Sequence, residues 1–204
     1  MSERTEHWQT VYTTRKEDEV SWFETSPEIS LALIGKASGG KPADIVDIGG
    51  GASRLVDVLL PEHDVTVLDL SAAALDAARN RLGAVAEKVD WVVSDVTRWH
   101  PTRGFDIWHD RAALHFLTDP EDQRAYVAVL KSALRPGGTA ILATFAPDGP
   151  EKCSGLPVAR HDADTLAALL GPGFKLQETL RHTHKTPWGS EQRFQYSAFK
   201  REES

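Results

Sequence analysis

Three consecutive glycines carry the most specific chemical information in this chain. Gly49, Gly50 and Gly51 end the run ADIVDIGGGAS, whose apolar part is typical of a buried strand and which leads directly toward a helix. Glycine tolerates positive φ and has no Cβ, so a ligand can approach the backbone of such a turn closely. The start of the next helix adds free N–H groups and the positive end of a dipole. The turn is therefore predicted to bind a ligand.

The residues after the glycines exclude two common ligands of such turns. A phosphate-binding loop needs a Lys-Ser/Thr pair after its last glycine, and here Gly51 is followed by Ala-Ser-Arg. A dinucleotide site needs a third glycine that packs the helix closely against the strand, and Arg54 occupies that position. The ligand must therefore be identified from other residues.

Four carboxylates are predicted to lie at the same sheet edge as the glycine turn. Asp47 belongs to the strand before the turn, Asp69 ends the next strand twenty residues after Gly49, and Asp95 and Asp110 follow two later strands. Open α/β sheets bind their ligands outside the carboxyl ends of the strands. A carboxylate in the position of Asp69 can accept hydrogen bonds from both hydroxyls of a ribose.

The pattern D-x-G-x-G-x-S over residues 47–53, followed by Asp69, resembles the class I methyltransferases that depend on S-adenosylmethionine (SAM). The runs SDV at 94–96 and LRPGG at 134–138 continue this resemblance in the same order, and it covers residues 43–145. It implies SAM as cofactor and S-adenosylhomocysteine as product. The cofactor contacts that it implies are Asp47, Gly49, Gly51, Ser53, Asp69, Leu70, Asp95, Val96 and Asp110.

Within that set, the resemblance also implies which part of SAM each residue contacts. Asp47 and the glycines would line the methionine side, Asp69 the ribose, and Asp95 with Val96 the adenine. SAM carries an ammonium, a ribose and an adenine amino group but no phosphate. Acidic strand ends are therefore suited to it.

Apolar runs of strand length alternate with helical patterns, which implies right-handed crossovers and a mostly parallel sheet. We predict strands at 45–48, 65–69, 89–93, 105–108 and 139–145, and an antiparallel pair at 174–181 and 192–199. Helices are predicted to start with Ser26 as a cap, at Ala52, after Ser71, at Asp119 and at Asp162. The fold class is α/β: a doubly wound, mostly parallel seven-stranded sheet with an antiparallel C-terminal strand pair and helices on both faces. We expect one domain over 1–204, with 1–26 as an N-terminal arm or lid.

Composition and charge limit the classes of binding partner and the cellular locations that we expect for this protein. The net charge of −7 argues against nucleic acid, and the single cysteine, Cys153, excludes an intrachain disulfide. No apolar run resembles a signal peptide or reaches the roughly 18 residues of a membrane span. We expect a cytoplasmic protein without nucleic-acid or membrane partners, with a monomer favoured. His182 and His184 have no third ligand nearby in sequence, so we predict no metal site.

The methyl acceptor is expected between the aromatic-rich arm and the segment HDRAALHFL after the fourth strand. Asp110 and His115 are the predicted catalytic groups, because a histidine there could act as a base. Tyr12, Trp22, Arg111 and His115 are predicted to contact the acceptor. Arg111 is expected to pair with Asp110.

Three functions remain open at this point. A small-molecule methyltransferase is favoured, and a thiol or similar soft nucleophile is the expected acceptor because a sulfonium methyl is already activated. The arm resembles that of protein lysine N-methyltransferases, so a protein lysine is the alternative, although DRAALH replaces the DKGTLD pattern of that group. A non-catalytic SAM-binding protein is the third.

Overall fold

A seven-stranded sheet forms the centre of the protein in the computed structural model, which describes residues 3–203. The strands of the chain are β1 (Asp44–Ile48), β2 (Asp64–Asp69), β3 (Asp90–Val93), β4 (Phe105–Arg111), β5 (Leu134–Phe145), β6 (Lys152–Cys153), β7 (Leu156–Pro157), β8 (Phe174–Lys185) and β9 (Glu191–Arg201). The order across the large sheet is β3-β2-β1-β4-β5-β9-β8, and β6 pairs with β7 as a separate hairpin. Met1, Ser2 and Ser204 lie outside the described residues, so the first two positions of the predicted arm do as well.

Helices cover both faces of this sheet. They are α1 (Glu3–Thr14), α2 (Glu28–Ser38), α3 (Leu55–Leu59), α4 (Ala72–Leu82), α5 (Pro120–Ala133) and α6 (Ala163–Leu170). One hydrophobic core contains side chains of α2, α3 and α4, and the other contains side chains of α5 and α6. Central strands buried on both faces read as continuous apolar runs, and Ile45, Val46 and Ile48 of β1 are at most 1% exposed.

Strand pairing confirms the predicted fold class. β1 pairs in parallel with both β2 and β4, so that Ile45 faces Val65 on one side and Ile107 on the other. β9 is antiparallel to both β5 and β8, and β8 and β9 together form the predicted C-terminal antiparallel pair. Because β9 runs in the opposite direction, its first residues lie at the sheet edge where the parallel strands end.

Two predicted helix starts differ from the structure, whereas the cap at Ser71 agrees with it. The hydroxyl of Ser71 accepts a hydrogen bond from the N–H of Ala74 at 3.2 Å. Ser26 is not the cap of α2, because Pro27 occupies the N-cap position and makes no side-chain cap bond. The helix predicted from Ala52 begins only at Leu55, because the preceding residues belong to the glycine turn.

None of the helices described in residues 3–203 is long and apolar enough to cross a membrane. The cytoplasmic location, the monomeric state and the single-domain boundary at 1–204 stay predictions.

Candidate active site

The glycine turn after β1 presents backbone, not side chains, to the sheet edge. Gly49 has a φ of +67°, and a Cβ there would lie 2.8 Å from the Cβ of Ala113. Gly51 has a φ of +35°, and its Cβ would lie 2.6 Å from Oδ2 of Asp69. The N–H of Gly49 donates to the carbonyl of Leu68 at 2.7 Å, which holds the turn against β2. Both positions therefore require glycine for steric and conformational reasons.

Asp47 belongs to a buried chain of three polar side chains. Its Oδ1 lies 2.7 Å from Nδ1 of His109, and Nε2 of that histidine lies 2.9 Å from the hydroxyl of Ser30. The side chains of Asp47 and His109 are 4% and 2% exposed. Asp47 also lines a cavity beside the glycine turn, together with Gly49 and Ser53. The carboxylate is therefore held in one orientation next to the turn.

Asp69 faces a second, larger cavity from the end of β2. Its Oδ1 accepts a hydrogen bond from the N–H of Ser71 at 2.8 Å. Burial raises the pKa of Asp69 to about 7; the carboxylate of Asp47 adds to the shift, and the N–H of Ser71 opposes it. A ligand that donates hydrogen bonds to Asp69 would therefore stabilise a charge that burial disfavours.

Leu70, Asp95 and Val96 line the same cavity on the side of β2 and β3. Oδ1 of Asp95 accepts hydrogen bonds from the N–H of Thr97 at 2.9 Å and from its hydroxyl at 2.8 Å, which caps a short 3₁₀ helix. Oδ2 of Asp95 lies 3.8 Å from the guanidinium of Arg4 on α1. Asp95 thus both caps a helix and forms part of the cavity wall.

The N-terminal arm is tied to the glycine turn and to α4. The side-chain carbonyl of Gln9 on α1 accepts a hydrogen bond from the hydroxyl of Ser71 at 3.0 Å. Glu17 forms ion pairs with Arg54 and with Arg81, the latter at 2.9 Å. Arg81 also donates to two carbonyls of the turn at 3.1 and 2.8 Å. These contacts place the arm across the sheet edge.

Aromatic side chains of the arm form one wall of the larger cavity. The ring of Trp8 lies 4.8 Å from that of Phe116 and 5.5 Å from that of Trp22, measured between centroids. The indole N–H of Trp22 donates to the hydroxyl of Tyr12 at 3.2 Å. Burial raises the pKa of Tyr12, and the carboxylate of Asp69 raises it further, so its phenol stays protonated.

Arg111 lines the same cavity but pairs with Glu24, not with Asp110 as we predicted. Its guanidinium lies 3.0 Å from Oε1 of Glu24, and it donates to the carbonyl of Trp22 at 3.0 Å and to the hydroxyl of Tyr196 at 3.1 Å. Burial disfavours the charge of Arg111, but Tyr196 and Glu24 raise its pKa above the ordinary value. Glu24 therefore compensates the positive charge that Arg111 brings to the wall of the cavity.

Asp110 lines neither of the two cavities. Its carboxylate accepts hydrogen bonds from the N–H of Ala113 at 2.9 Å, the N–H of Leu114 at 3.1 Å and the hydroxyl of Tyr126 at 2.7 Å. Burial raises its pKa to about 6, because it outweighs these hydrogen bonds. The side chain holds the turn after β4, and this placement supports neither its predicted cofactor contact nor its predicted catalytic role.

His115 also lies outside both cavities. It is fully buried, with its ring 4.4 Å from that of Phe116 and 4.8 Å from that of Phe145. Burial lowers the pKa of His115 to about 3, and the charges of Arg111 and His161 contribute. Its placement in the core does not support the predicted roles as a base and as an acceptor contact.

Four further residues that were not predicted lie at or beside the cavities: His109, Glu17, Glu24 and Gln192. His109 lies directly opposite Asp47 in the β1–β4 pairing, so the aligned strands could have revealed it once their register was known. Gln192 lines the larger cavity from the start of β9. Glu17 and Glu24 carried no signal in the sequence, because their partners are far away along the chain.

The seven-stranded sheet, its glycine turn and the acidic end of β2 define the class I SAM-dependent methyltransferase domain. Residues 45–138 match the family described as a methyltransferase domain. Nodulation protein S of Rhizobium tropici is 31% identical over 117 residues, which are 57% of this chain and 48% of that protein. A trans-aconitate 2-methyltransferase of Methylobacterium radiotolerans is 31% identical over 144 residues, 69% of this chain and 50% of that protein. The chain spans about half the length of these curated relatives.

A solved methyltransferase structure shares the fold over nearly the whole chain. The N-methyltransferase NodS of Bradyrhizobium japonicum WM9, in complex with S-adenosylhomocysteine, superposes with a TM-score of 0.73 at 16% identity. The superposition covers 97% of this chain and 98% of that structure. The prediction of a class I SAM-dependent methyltransferase domain is confirmed over residues 45–138, and the fold is shared over nearly the whole chain; SAM is the cofactor of that class.

Proposed function

We propose that this protein transfers the methyl group of SAM to a small, uncharged acceptor that attacks through a thiol or another soft nucleophile. One observation carries the proposal: the larger cavity has two chemically different ends. Asp69 and Asp95 make one end acidic, which suits adenosine. Aromatic rings and the compensated Arg111 make the other end apolar and neutral, which suits the acceptor.

The residues present fit SAM. A Cβ on either outer glycine of the turn would meet a neighbouring side chain within 3 Å, so the turn is limited to glycine and offers bare backbone to a ligand. We assign Asp47, the glycines and Ser53 to the methionine end, Asp69 to the ribose, and Leu70, Asp95 and Val96 to the rest of the adenosine. SAM supplies a methyl group on a sulfonium, and aromatic faces such as those of Trp8 and Trp22 attract cations.

The acceptor end supports a nucleophile that needs no base from the protein. Among the described residues that line it, the ionisable groups are Tyr12, Arg111 and Cys153. Tyr12 stays protonated, Arg111 is paired, and burial raises the pKa of Cys153 to about 11. None of the three accepts a proton at neutral pH. A thiol ionises far more readily than an alcohol and attacks as the thiolate.

Two alternative acceptors find less support at this end of the cavity. The relative named for trans-aconitate acts on a polyanion, but both arginines of the cavity lining are already paired: Arg4 lies 2.9 Å from Asp122, and Arg111 pairs with Glu24. A protein lysine would enter as a cation. The carboxylate at this end that could pair with it, Glu24, already pairs with Arg111. The arm also covers the cavity against a macromolecule.

A screen for S-adenosylhomocysteine release tests the proposal. The protein is incubated with SAM and with neutral thiols, amines, hydroxyl compounds, trans-aconitate or lysine-rich proteins. We expect release with at least one neutral thiol and none with trans-aconitate above the level without acceptor. Release only with carboxylates or proteins would overturn the acceptor proposal, and no release with any acceptor would favour the non-catalytic SAM-binding alternative.

We also propose that the arm over 1–26 acts as a lid on the bound cofactor, and Glu17→Gln tests this. The substitution weakens the ion pairs with Arg54 and Arg81, and we expect SAM to dissociate about fivefold faster, since partly exposed pairs contribute on the order of 1 kcal/mol. Stopped-flow displacement of SAM measures the rate. Asp18→Asn, one residue away and exposed, is the matched control. Equal dissociation rates in all three proteins would contradict the lid.

A further inference from the structure

Gln192 is a buried polar residue whose side-chain oxygen forms no hydrogen bond with the described part of the protein. Its side chain lines the larger cavity, and the residue is 8% exposed. Its Oε1 is shielded from water and has no hydrogen-bond partner among residues 3–203. A buried acceptor without a donor costs free energy, so such groups are rare unless a ligand satisfies them.

The position of Gln192 places it at the acceptor end of the cavity. It is the second residue of β9, which runs antiparallel to β5 and therefore starts at the edge where the parallel strands end. Two residues further on, the ring of Phe194 lies 4.9 Å from that of Phe145 and 4.8 Å from the guanidinium carbon of Arg111. In the sheet order, β9 is separated from the acidic ends of β2 and β3 by β1, β4 and β5.

We infer that the carboxamide of Gln192 recognises the methyl acceptor, and that the acceptor carries an uncharged hydrogen-bond donor next to its nucleophile, with a primary carboxamide as the group that matches both the donor and the acceptor of the glutamine. The inference rests on the proposed function and names the substrate class of that site. A carboxamide offers both a donor and an acceptor, so it can form a paired contact with another carboxamide.

The surrounding charges favour an uncharged group over an ion. The guanidinium of Arg111 lies 3.0 Å from Oε1 of Glu24, so the two charges neutralise each other, although Nη2 of Arg111 has no hydrogen-bond partner among residues 3–203. A carboxylate on the acceptor would be buried beside a cation that Glu24 already neutralises, and it would leave Oε1 of Gln192 without a donor. An N–H or O–H group supplies the donor that this oxygen lacks.

Binding of small aromatic amides tests the inference independently of catalysis. The probes are benzamide, N,N-dimethylbenzamide and benzoate, each titrated by calorimetry or NMR into the protein saturated with S-adenosylhomocysteine. We expect benzamide to bind at least about tenfold more tightly than the other two, and Gln192→Leu to lose this preference. Gln177→Leu, an exposed residue on β8, is the matched control and should behave like the wild type. Unchanged S-adenosylhomocysteine affinity and thermal stability show that Gln192→Leu is folded.

The outcomes separate this inference from the proposed function. Equal affinity of wild type and Gln192→Leu for benzamide, or no benzamide binding, would overturn the role of Gln192. In parallel, S-adenosylhomocysteine release is compared with 2-mercaptobenzamide and thiophenol as acceptors. Release with neither thiol, together with Gln192-dependent benzamide binding, would overturn the soft-nucleophile acceptor and leave the role of Gln192 supported.

Discussion

Asp69→Asn is expected to weaken the binding of SAM about 100-fold, because it removes charge-assisted hydrogen bonds that together contribute on the order of 3 kcal/mol. An ionised carboxylate accepts from both ribose hydroxyls, whereas an asparagine has one acceptor and turns an N–H₂ toward one of them. Calorimetric titration with SAM at pH 8 measures the loss. Asp64→Asn is the matched control, because Asp64 is exposed at the opposite end of the same strand. Equal affinities of the wild type and Asp69→Asn would show that our ribose assignment is wrong.

The same carboxylate gives SAM binding a distinctive pH dependence. The pKa of Asp69 is raised to about 7 in the ligand-free protein, and ribose binding requires the charged form. The affinity for SAM should therefore fall about 30-fold between pH 8 and pH 5.5, because the ionised fraction of Asp69 decreases by about that factor. Asp69→Asn should lack this fall, and comparison of the two proteins removes any titration of SAM itself.

As the pH rises, the ligand-free protein should become less stable, whereas its affinity for SAM should increase. A folded pKa above the unfolded one means that the native state binds more protons between about 4 and 7, so the free energy of unfolding decreases as pH rises through that window. A shift from 3.8 to about 7 corresponds to roughly 4 kcal/mol at pH 8. Ligand-free Asp69→Asn is therefore expected to melt at a higher temperature than the wild type at pH 8. A lower melting temperature would contradict the destabilising burial of Asp69.

The order of strands and helices along the chain could be predicted from the sequence because each element carries its own local signal. Apolar strand runs, the Ser71 cap and the proline-glycine loops were sufficient for the parallel sheet and the antiparallel β8–β9 pair. The predicted starts of α2 and α3 were less accurate. Arg81 holds the backbone before Leu55 in the turn from a distance of more than twenty residues in sequence, and no local pattern reveals such a contact.

The residues that line the cavities could be predicted where glycines and strand ends define the lining, but not where the direction of a side chain decides which residue reaches a cavity. His109 and Asp110 are neighbours on β4, so their side chains point to opposite faces of the sheet. His109 turns toward Ser30 on α2 and supports Asp47, while Asp110 turns toward Tyr126 on α5 and enters the core. The sequence shows that both residues stand at a strand end but not which of them faces the glycine turn.

The acceptor end depends on contacts between segments that are far apart in the chain, which explains why the sequence revealed little of it. Arg111 has Asp110 beside it in sequence, yet its partner Glu24 comes from the arm. Gln192 reaches the cavity only because β9 reverses direction relative to β5. Such contacts follow from the assembled sheet and arm, so they could be recognised only in three dimensions.

Gly50→Ala should abolish measurable SAM binding and destabilise the fold, because the central glycine of the turn is the most crowded of the three. A Cβ there would lie 2.5 Å from Oδ2 of Asp47 and 2.8 Å from Cγ1 of Val67. The carboxylate cannot move away freely, since His109 holds its other oxygen at 2.7 Å. Overpacking of this kind typically costs about 1–3 kcal/mol, and here it also displaces the group that we assign to the methionine end.

Gly35→Ala provides the matched control for this prediction. Gly35 lies within α2, and a Cβ there would have no atom within 4 Å. Alanine is favoured over glycine inside a helix by roughly 0.5–1 kcal/mol, so this variant should bind SAM normally and melt at an equal or higher temperature. Thermal melts and SAM titrations of both variants separate the steric effect from a general effect of adding a methyl group. Normal SAM binding by Gly50→Ala would mean that the turn and Asp47 can rearrange together, and that the orientation imposed by His109 is not needed for the cofactor.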